Sequence, residues 1–402
     1  MTDRRIPRIR PRAAGSATSR IRQTAGAAWL ALMTGLVPWA GVAQTAAGPP
    51  CGAPPAMDDG WPVAAPDAVG LDPAVLCGIG RRFAAWTEAD VHAVLVIRHG
   101  KLVYEHYFTG ADETLGKAAG VVAFDAATRH DLRSIEKSVV ALLLGVEIAR
   151  GRIAGVDEPV LARFSEYADL RSPEKDRITL RHLLTMSQGL AWDEDIPYSD
   201  PANSETRMDF SPDPVRYALS PPVVAPPGAV FNYSTGSATI LAALLQKTTG
   251  QPLDTLARDD LFTPLGIADV EWAHLPSGQV SPYGLRMRPR DLVKLGQLVL
   301  NHGAWNGAQV VPADWIATAT APQINGPGAY FYGFQFWLGR SLVRGREIDW
   351  AAGWGYGGQR LFIVPSLDLV ALVHAGLYTS PMQSWVPLVV LNRYVLTAAG
   401  AP

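Results

Sequence analysis

Strand-like segments are concentrated toward the two ends of the globular part of this chain, and helix-like segments fill the middle. Apolar runs bounded by turn residues predict strands, and a 3.6-residue apolar period predicts helices. The predicted strands are residues 93–97, 102–107, 331–338, 360–364 and 369–373. The predicted helices include residues 76–86, 134–150, 238–250 and 384–397. This distribution predicts an α+β fold: one antiparallel sheet formed from both ends of the chain, flanked by helices, plus a mainly helical subdomain over about residues 151–275.

The first 43 residues have the features of an export signal. Seven arginines precede an apolar run over residues 25–43, and small residues at Gly41 and Ala43 suit cleavage after Ala43. An uncleaved membrane anchor is the alternative, but Pro38 and the short apolar core fit it poorly. We therefore expect a periplasmic or secreted protein. Residues 44–66, rich in Ala, Pro and Gly, predict an exposed tether that leads into one domain over residues 67–402.

The charge of the expected mature chain argues against some classes of partner. Without residues 1–43, which carry seven arginines and one acid, 28 basic and 36 acidic residues remain, and the formal net charge changes from −2 to −8. An acidic surface disfavours nucleic acid as a partner. No later apolar run is long enough for a membrane span, so no stable span is expected after signal removal.

Cys51 and Cys77 are the only cysteines in the sequence. Export to an oxidising compartment would let them form a disulfide that ties down the N-terminal segment. Two unrelated thiols are the alternative, because spacing alone does not establish that the two Cα atoms approach closely enough. The sequence has no ladder of cysteines or closely spaced histidines, so no metal and no cofactor are expected.

The segment Ser134-Ile135-Glu136-Lys137 precedes an apolar run and predicts the start of a helix. Residues i and i+3 share one helix face, which would bring the Lys137 amine to the Ser134 hydroxyl. A lysine kept neutral by burial can take the serine proton during attack on a carbonyl group. The helix N-terminus would add partial positive charge where an oxyanion forms. The alternative is an ordinary helix cap followed by a helix lysine.

A second segment, Ser172-Pro173-Glu174-Lys175, has the same spacing. It lies in a polar stretch and has proline at its second position, which favours a surface turn or a helix start. Its polar surroundings favour Ser134 over Ser172 as the candidate nucleophile.

Two further clusters carry candidate chemistry. Tyr233 lies on a predicted tight turn before an apolar helix, where a phenol near a lysine can relay a proton. The glycine-rich segment 353–358 leads into a predicted strand, whose edge N–H can complete an oxyanion hole. A tyrosine that packs a helix start and a glycine-rich hairpin turn are the respective structural alternatives.

The order of these three clusters resembles that of the serine β-lactamase and penicillin-recognising superfamily, in its class C β-lactamase-like branch. The flanking sequence resembles most the branch of 6-aminohexanoate-dimer hydrolases and β-lactamase-like carboxylesterases. The segments that carry this resemblance are residues 183–190, 261–267, 290–298 and 357–359. The resemblance spans roughly residues 93–377. It implies Ser134 as the acylated nucleophile, Lys137 as its base partner and Tyr233 as the proton relay.

The same resemblance places the oxyanion between the backbone N–H groups of Ser134 and Tyr356, with Trp354 as the alternative to Tyr356. Two departures from the β-lactamase pattern concern the substrate. Thr235 replaces the asparagine of Tyr-x-Asn, and Gly353-Trp354-Gly355 replaces Lys-Thr-Gly. A lysine that would bind a substrate carboxylate is therefore absent, which favours an uncharged or apolar acyl group.

The substrate contacts are expected in two places. The loop from Trp192 to Phe210 predicts one wall of the cleft, with Trp192, Asp193 and Tyr198 as contacts and buried core as the alternative for Trp192. Trp354 and Gly355 are expected on the opposite wall.

These features together predict an exported serine hydrolase that cleaves the ester or amide bonds of a small-molecule substrate. A β-lactamase or D-alanyl-D-alanine carboxypeptidase is one alternative. A non-catalytic binding or scaffold protein with the same fold is the other.

Overall fold

The structure is a computed structural model that describes residues 51–400. The predicted signal segment and the first part of the predicted tether lie outside these residues. Between residues 51 and 400, none of the helices combines the length and the apolar character that a membrane span requires.

The largest element is an eight-stranded sheet in which every neighbouring pair is antiparallel. Its strand order is β10-β11-β12-β13-β14-β15-β1-β2. The strands are β1 (Val91–Arg98), β2 (Lys101–Tyr107), β3 (Thr109–Thr114), β4 (Lys117–Ala123), β5 (His130–Asp131), β6 (Val270–His274), β7 (Val280–Met287), β8 (Ala304–Trp305), β9 (Ala308–Gln309), β10 (Ile324–Asn325), β11 (Phe331–Tyr332), β12 (Trp337–Val343), β13 (Arg346–Gly355), β14 (Gln359–Val364) and β15 (Leu369–Ala375).

The pairing of β1 with β15 joins the two ends of the chain in one sheet, which confirms the predicted architecture. Val94 lies opposite Val373 in this pair. Side chains alternate between the faces of a strand, so β1 supplies both hydrophobic cores. Leu95 and Ile97 belong to one core, and Val94 and Val96 belong to the other.

Helices cover both faces of this sheet. They are α1 (Pro73–Leu76), α2 (Gly78–Ala85), α3 (Glu136–Ala149), α4 (Leu180–Leu184), α5 (Ser204–Asp209), α6 (Pro214–Leu219), α7 (Thr235–Thr249), α8 (Leu253–Ala257), α9 (Pro289–Leu300), α10 (Ala313–Ala319), α11 (Val386–Val389) and α12 (Leu396–Ala399). Helix α9 packs on the face formed by β14, β15 and β1. The predicted helix over 384–397 is instead divided into α11, a π-helical segment (Val390–Val395) and α12.

The predicted strand over 331–338 is also divided. Strands β11 and β12 are separated by a turn in which Gln335 has a φ of 61°. The Gln335 side chain donates hydrogen bonds to the carbonyl oxygens of Leu183 and Leu184, so the turn is fixed by a contact with α4. Because this contact joins residues far apart in the sequence, nothing within residues 331–338 indicates the turn.

The helical subdomain contains α4 to α8, as predicted. Its last part carries β6, which pairs with β7 and through it with β5 in a three-stranded sheet. The hairpin of β3 and β4 and this small sheet were not predicted. Strand β4 is largely exposed, β5 and β6 are short, and Pro282 and Gly284 interrupt β7, so they lack the long apolar runs that identify a strand in sequence.

Residues 51–66 are not a free tether, which corrects the prediction for its described part. Trp61 is buried, and its indole N–H donates a hydrogen bond to the Arg290 carbonyl over 2.9 Å. The Arg290 guanidinium in turn bonds Asp59 and the Pro55 carbonyl. A disulfide joins Cys51 to Cys77, whose Cα atoms are 5.5 Å apart. The pairing that the sequence left open is therefore present in the structure.

Candidate active site

Ser134 and Lys137 lie at the junction of a short 3₁₀ turn and a helix. The turn is Arg133–Ile135 and α3 begins at Glu136, so the prediction that Ser134 opens the α-helix is corrected. A 3₁₀ turn has three residues per turn and aligns residues i and i+3. The Lys137 Nζ accordingly donates a hydrogen bond to the Ser134 Oγ over 2.8 Å.

Arg133 holds this turn in an unusual backbone conformation. Its φ is 52°, in the left-handed region, which costs a residue other than glycine about 1 kcal/mol. The guanidinium forms ion pairs with Glu113 at 3.0 Å and Asp131 at 3.2 Å, and it lies 4.9 Å from the ring centroid of Tyr378. These contacts offset the backbone strain and hold Ser134 in place.

Glu136 attaches the start of α3 to β7. Its side chain is fully buried, and Oε2 accepts a hydrogen bond from the Leu285 N–H over 2.7 Å. Burial raises the pKa of Glu136 well above its ordinary value, and the nearby Lys137 charge opposes this effect. Sequence analysis did not assign this residue a role.

Tyr233 lies on the extended segment before α7. Ser234 caps that helix by accepting a hydrogen bond from the Ser237 N–H. The Tyr233 ring centroid is 5.2 Å from the Lys137 Nζ, and its hydroxyl interacts with both Ser134 and Lys137. Burial raises the pKa of Tyr233, although the Lys137 charge favours the phenolate.

The structure corrects the expectation that burial keeps Lys137 neutral. The side chain is buried, and burial alone lowers its pKa. The nearby Tyr233, Glu205 and Glu194 together outweigh burial, so the pKa of Lys137 is raised. Lys137 is therefore an ammonium group in the resting site at neutral pH.

Three acidic side chains of the helical subdomain, Glu194, Glu205 and Asp209, interact electrostatically with this ammonium group. Burial raises the pKa of Glu194 to about 8 and that of Asp209 to about 7. Glu205 is buried, and Asp209 accepts a hydrogen bond from the Tyr283 hydroxyl. Sequence analysis missed all three, because they belong to a polar stretch with many acids in which nothing separates an enclosed carboxyl from an exposed one.

Two glycines let the end of β13 lie directly against the Ser134 turn. A Cβ on Gly353 would come within 2.9 Å of the Ile135 side chain, and a Cβ on Gly355 would come within 2.4 Å of the Leu132 carbonyl oxygen. Gly355 was expected to contact substrate. It is buried against Leu132 instead, so its role is to let two backbone segments approach.

Tyr356 and Trp354 both line the cleft beside Ser134. Tyr356 follows the last pair of the β13–β14 ladder, Gly355 opposite Gln359, so its N–H lies beyond that ladder. This position is compatible with the predicted oxyanion donor. The assignment of Tyr356 rather than Trp354 remains a prediction.

Two adjoining pockets of about 620 and 460 Å³ meet at Ser134, Tyr198 and Tyr356. Acidic groups, including Glu205 and Asp209, contribute to the larger pocket. Aromatic side chains line much of the smaller one, namely Phe231, Tyr233, Trp337 and Trp354.

The structure places the predicted loop contacts Tyr198 and Trp192 in different surroundings. Tyr198 is 40% exposed, lies in the cleft and packs edge-on against Tyr356 with ring centroids 5.1 Å apart. Trp192 is 7% exposed and belongs to the core, where it contacts Gly236 and Tyr217. The structure thus supports Tyr198 as a cleft residue and corrects the prediction for Trp192.

The Beta-lactamase family matches residues 83–382, which contain every element of the site. The chain belongs to the Beta-lactamase family. As a member of this family it is a serine hydrolase, and its fold is the one that the sequence resemblance implied.

Three similar proteins give this membership context. Esterase EstB of Burkholderia gladioli is 28% identical over 228 residues, which cover 52% of this chain and 55% of that protein. The 6-aminohexanoate-dimer hydrolase of Paenarthrobacter ureafaciens is 24% identical over 316 residues, covering 70% of this chain and 72% of the relative. A penicillin-binding protein homologue from Caulobacter crescentus has a similar solved structure, with a TM-score of 0.59 and 19% identity, covering 81% of this chain and 97% of that one.

This Beta-lactamase family member also has a buried cation behind its cleft that sequence analysis missed. The Arg360 guanidinium lies 3.8 Å from the ring centroid of Trp354 and donates hydrogen bonds to the carbonyl oxygens of Gly355, Gln359 and Gln383. Burial lowers the pKa of Arg360 well below its ordinary value. The side chain fixes the glycine-rich turn, and the indole covers it.

The second serine–lysine segment has a structural role. Ser172 is half-buried, and its hydroxyl donates a hydrogen bond to Glu174. The Lys175 Nζ donates to the carbonyl oxygens of Leu219 and Ser220 and does not bond Ser172. The prediction of a turn is confirmed here.

One group of possible metal ligands occurs among residues 51–400: His92, Asp112 and His130, all buried. The His92 Nδ1 and the His130 Nε2 are 2.9 Å apart and hydrogen-bond each other directly. Asp112 accepts a hydrogen bond from the Tyr378 hydroxyl. We interpret the group as a hydrogen-bonded network that supports the sheet.

Proposed function

We propose that this protein is an exported hydrolase that cleaves carboxylic esters or amides through an acyl-enzyme on Ser134. The observation that carries the proposal is the 2.8 Å contact between the Lys137 Nζ and the Ser134 Oγ, at the meeting point of two pockets in a Beta-lactamase family fold. A serine that contacts a basic side chain in a cleft is the arrangement that nucleophilic catalysis requires.

Lys137 and Tyr233 act as one proton-transfer pair in this mechanism. Both carry their proton in the resting state, because the pKa of each is raised. The pair must lose one proton before it can accept that of Ser134, whether the remaining proton lies on the amine or on the phenol. The Ser134 Oγ then attacks the carbonyl carbon, and its proton passes to the pair.

Tyr233 returns this proton to the leaving group as the carbon–oxygen or carbon–nitrogen bond breaks. Water then attacks the acyl-enzyme and gives a proton to the same pair, which returns it to the Ser134 Oγ as the bond between that oxygen and the acyl carbon breaks and the acid is released. The backbone N–H groups of Ser134 and Tyr356 stabilise the negative oxygen in both steps. The close approach of β13 to the Ser134 turn supports this pairing of donors.

The acyl group is expected to be uncharged. Gly353 replaces the lysine of related β-lactamases, and the ring of the next residue, Trp354, packs 5.0 Å from that of Trp337. The Arg360 guanidinium lies behind the Trp354 indole and cannot replace that lysine in the cleft. The esterase and the 6-aminohexanoate-dimer hydrolase among the similar proteins support an ester or amide as the substrate.

A periplasmic or secreted location is part of the proposal. The basic and apolar N-terminal segment supports it, and so does the disulfide between Cys51 and Cys77, because such bonds persist in oxidising compartments. Secretion trials with and without residues 1–43 would test it.

Intact-mass analysis after treatment with a fluorophosphonate tests the proposed nucleophile. The wild-type protein and Ser172→Ala should gain one adduct, and Ser134→Ala should gain none. An adduct of equal yield on folded Ser134→Ala would refute the proposal. Turnover of nitrocefin well above that of short-chain esters would favour a β-lactamase instead.

A further inference from the structure

Two carboxyl groups meet at the Thr235 hydroxyl beside the catalytic pair. The Thr235 Oγ1 is 3.0 Å from the Glu194 Oε1 and 3.0 Å from the Glu205 Oε2. Thr235 is completely buried, and Glu205 is 8% exposed. The residue at this position is also one of the two places where the sequence departs from the β-lactamase pattern.

The number of hydrogens available at this contact shows whether one of the two carboxyl groups must carry a proton. The Thr235 hydroxyl has one hydrogen and can donate it to only one carboxylate. The other short contact is a hydrogen bond only if that carboxyl group carries a proton and donates it to the Thr235 Oγ1. Two ionised carboxylates at this hydroxyl would leave one oxygen facing another without a hydrogen between them.

The surroundings of Glu194 make it the protonated member. Its Oε2 already accepts hydrogen bonds from the Trp192 indole over 2.6 Å and from the Thr235 N–H over 2.7 Å. Its Oε1 is therefore the atom that can carry the proton toward Thr235. Burial, helped by the negative charge of Glu205, raises the pKa of Glu194 to about 8.

We propose that Glu194, Thr235 and Glu205 form a hydrogen-bonded chain that holds one shared proton and thereby sets the protonation of the Lys137–Tyr233 pair. The proton lies on Glu194, the Thr235 hydroxyl passes the hydrogen bond on, and Glu205 remains the negative partner of the Lys137 ammonium. These three are positioning residues. The inference rests on the proposed function only for its kinetic consequence.

Other ionisable groups face this chain or the pair that it controls. Tyr198 on the loop before α5 interacts electrostatically with Glu205, and Asp209 lies on α5 itself. The remaining groups are Glu136 on α3, Tyr233 before α7, Tyr283 on β7 and Tyr332 on β11. Lys137 acts electrostatically on Glu194, and Arg360 acts on Tyr233, so loss of the shared proton would add a negative charge that raises the pKa of Lys137.

The consequence for the pH dependence has a definite sign. Above the pH at which the chain loses its proton, the extra negative charge raises the pKa of Lys137 and delays deprotonation of the pair. Acylation then reaches its maximum at a higher pH than it would with a neutral Glu194. Glu194→Gln keeps the hydrogen bonds of a protonated carboxyl group and cannot acquire the charge.

The kinetic test measures the rate of Ser134 acylation against pH. In Glu194→Gln the rise in acylation rate that follows deprotonation of the pair should move to lower pH by about one unit. Thr235→Val should move it in the same direction by less, and Thr235→Ser, which retains the hydroxyl, should restore the wild-type profile. Glu166→Gln is the matched control, because Glu166 pairs with Lys247 on the surface and should leave the profile unchanged. Unmoved profiles in both Glu194→Gln and Thr235→Val would overturn the inference.

An infrared titration tests the shared proton without any activity. On Ser134→Ala protein, a carboxylic acid C=O band should be present at pH 7 and disappear in Glu194→Gln. Asp209→Asn and Glu136→Gln distinguish this band from those of Asp209 and Glu136, because burial raises the pKa of both carboxyl groups. Absence of a band that depends on Glu194 would overturn the inference and leave the proposed function intact. Persistent acylation of Ser134→Ala would refute the proposed function, while the band would still report the shared proton.

Discussion

Lys137 and Ser134 are in contact although they belong to two different types of helix. Ser134 lies in a 3₁₀ turn and Lys137 in the first turn of α3, yet their Nζ and Oγ atoms are 2.8 Å apart. A 3₁₀ turn is tighter than an α-helical turn, so it aligns the side chain of Ser134 with that of Lys137, three residues later. The contact therefore depends on a local backbone conformation that Arg133 and its ion pairs hold in place.

Lys137→Ala should lower the rate of Ser134 acylation by roughly 10²–10⁴-fold, because it removes half of the proton-transfer pair and leaves the oxyanion donors in place. Stopped-flow acylation by a p-nitrophenyl ester measures this. The matched control is Lys175→Ala, which should acylate at the wild-type rate. It should melt at a lower temperature, because the Lys175 Nζ bonds two backbone carbonyl groups. The reverse result for the two lysines would identify Ser172 as the nucleophile.

Tyr233→Phe should fold normally and lose activity unequally on different substrates. Only the hydroxyl is removed, so the ring still packs against Trp337 at 5.9 Å. An amine must be protonated to leave, whereas p-nitrophenolate need not be, so the loss should be larger for amides than for activated aryl esters. The ratio of kcat/KM for a matched ester and amide measures this. An equal loss on both would restrict Tyr233 to the attack step.

Tyr198→Ala and Trp192→Ala should affect different properties. Tyr198 lies in the cleft, so its replacement should change the order of preference within an ester panel and change stability little. Trp192 is core, and its truncation should lower the free energy of unfolding by about 3 kcal/mol. Urea unfolding and the ester panel, applied to both variants, separate the two effects. If Trp192→Ala changed substrate preference and Tyr198→Ala lowered stability, Trp192 would be the cleft residue and Tyr198 the core residue.

Replacement of both cysteines by serine should lower the free energy of unfolding by about 3 kcal/mol, because the disulfide closes a loop with a sequence separation of 26 residues. Activity at low temperature should remain, since the bond lies at the N-terminal segment and not in the cleft. Urea unfolding of the variant and of reduced wild-type protein should give the same midpoint. A midpoint equal to that of the oxidised protein would show that the bond contributes no stability.

Asp209 should make stability fall as the pH rises. Burial raises its pKa from 3.8 to about 7, so between these values the folded protein binds a proton that the unfolded chain has released. The difference in unfolding free energy between pH 5 and pH 8 should be smaller in Asp209→Asn than in wild type, by on the order of 1–2 kcal/mol. The exposed Asp314→Asn is the control. Identical slopes in all three proteins would contradict the enclosed, protonated carboxyl group.

Much of the architecture could be predicted because short stretches of the sequence indicate it. The alternating and continuous apolar runs of β1, β14 and β15 identify buried strands, and their positions at both ends of the chain require a sheet that joins those ends. Ser134 and Lys137 were identified by a three-residue spacing, which any helical turn converts into proximity. The small strands around β7 were missed because their burial comes from neighbours and not from their own periodicity.

The sequence by itself determined the sheet, the helical subdomain and the candidate nucleophile with its lysine, since each depends on residues that are close in the chain. Only the tertiary structure decided the protonation of that lysine. Side chains from segments far along the chain, Tyr233 and Glu205 among them, reverse the effect of burial on its pKa. The burial of Trp192 was likewise decided only by the tertiary structure. A pKa and a side chain's exposure are sums over all neighbours in space, whereas a motif reports only the neighbours in sequence.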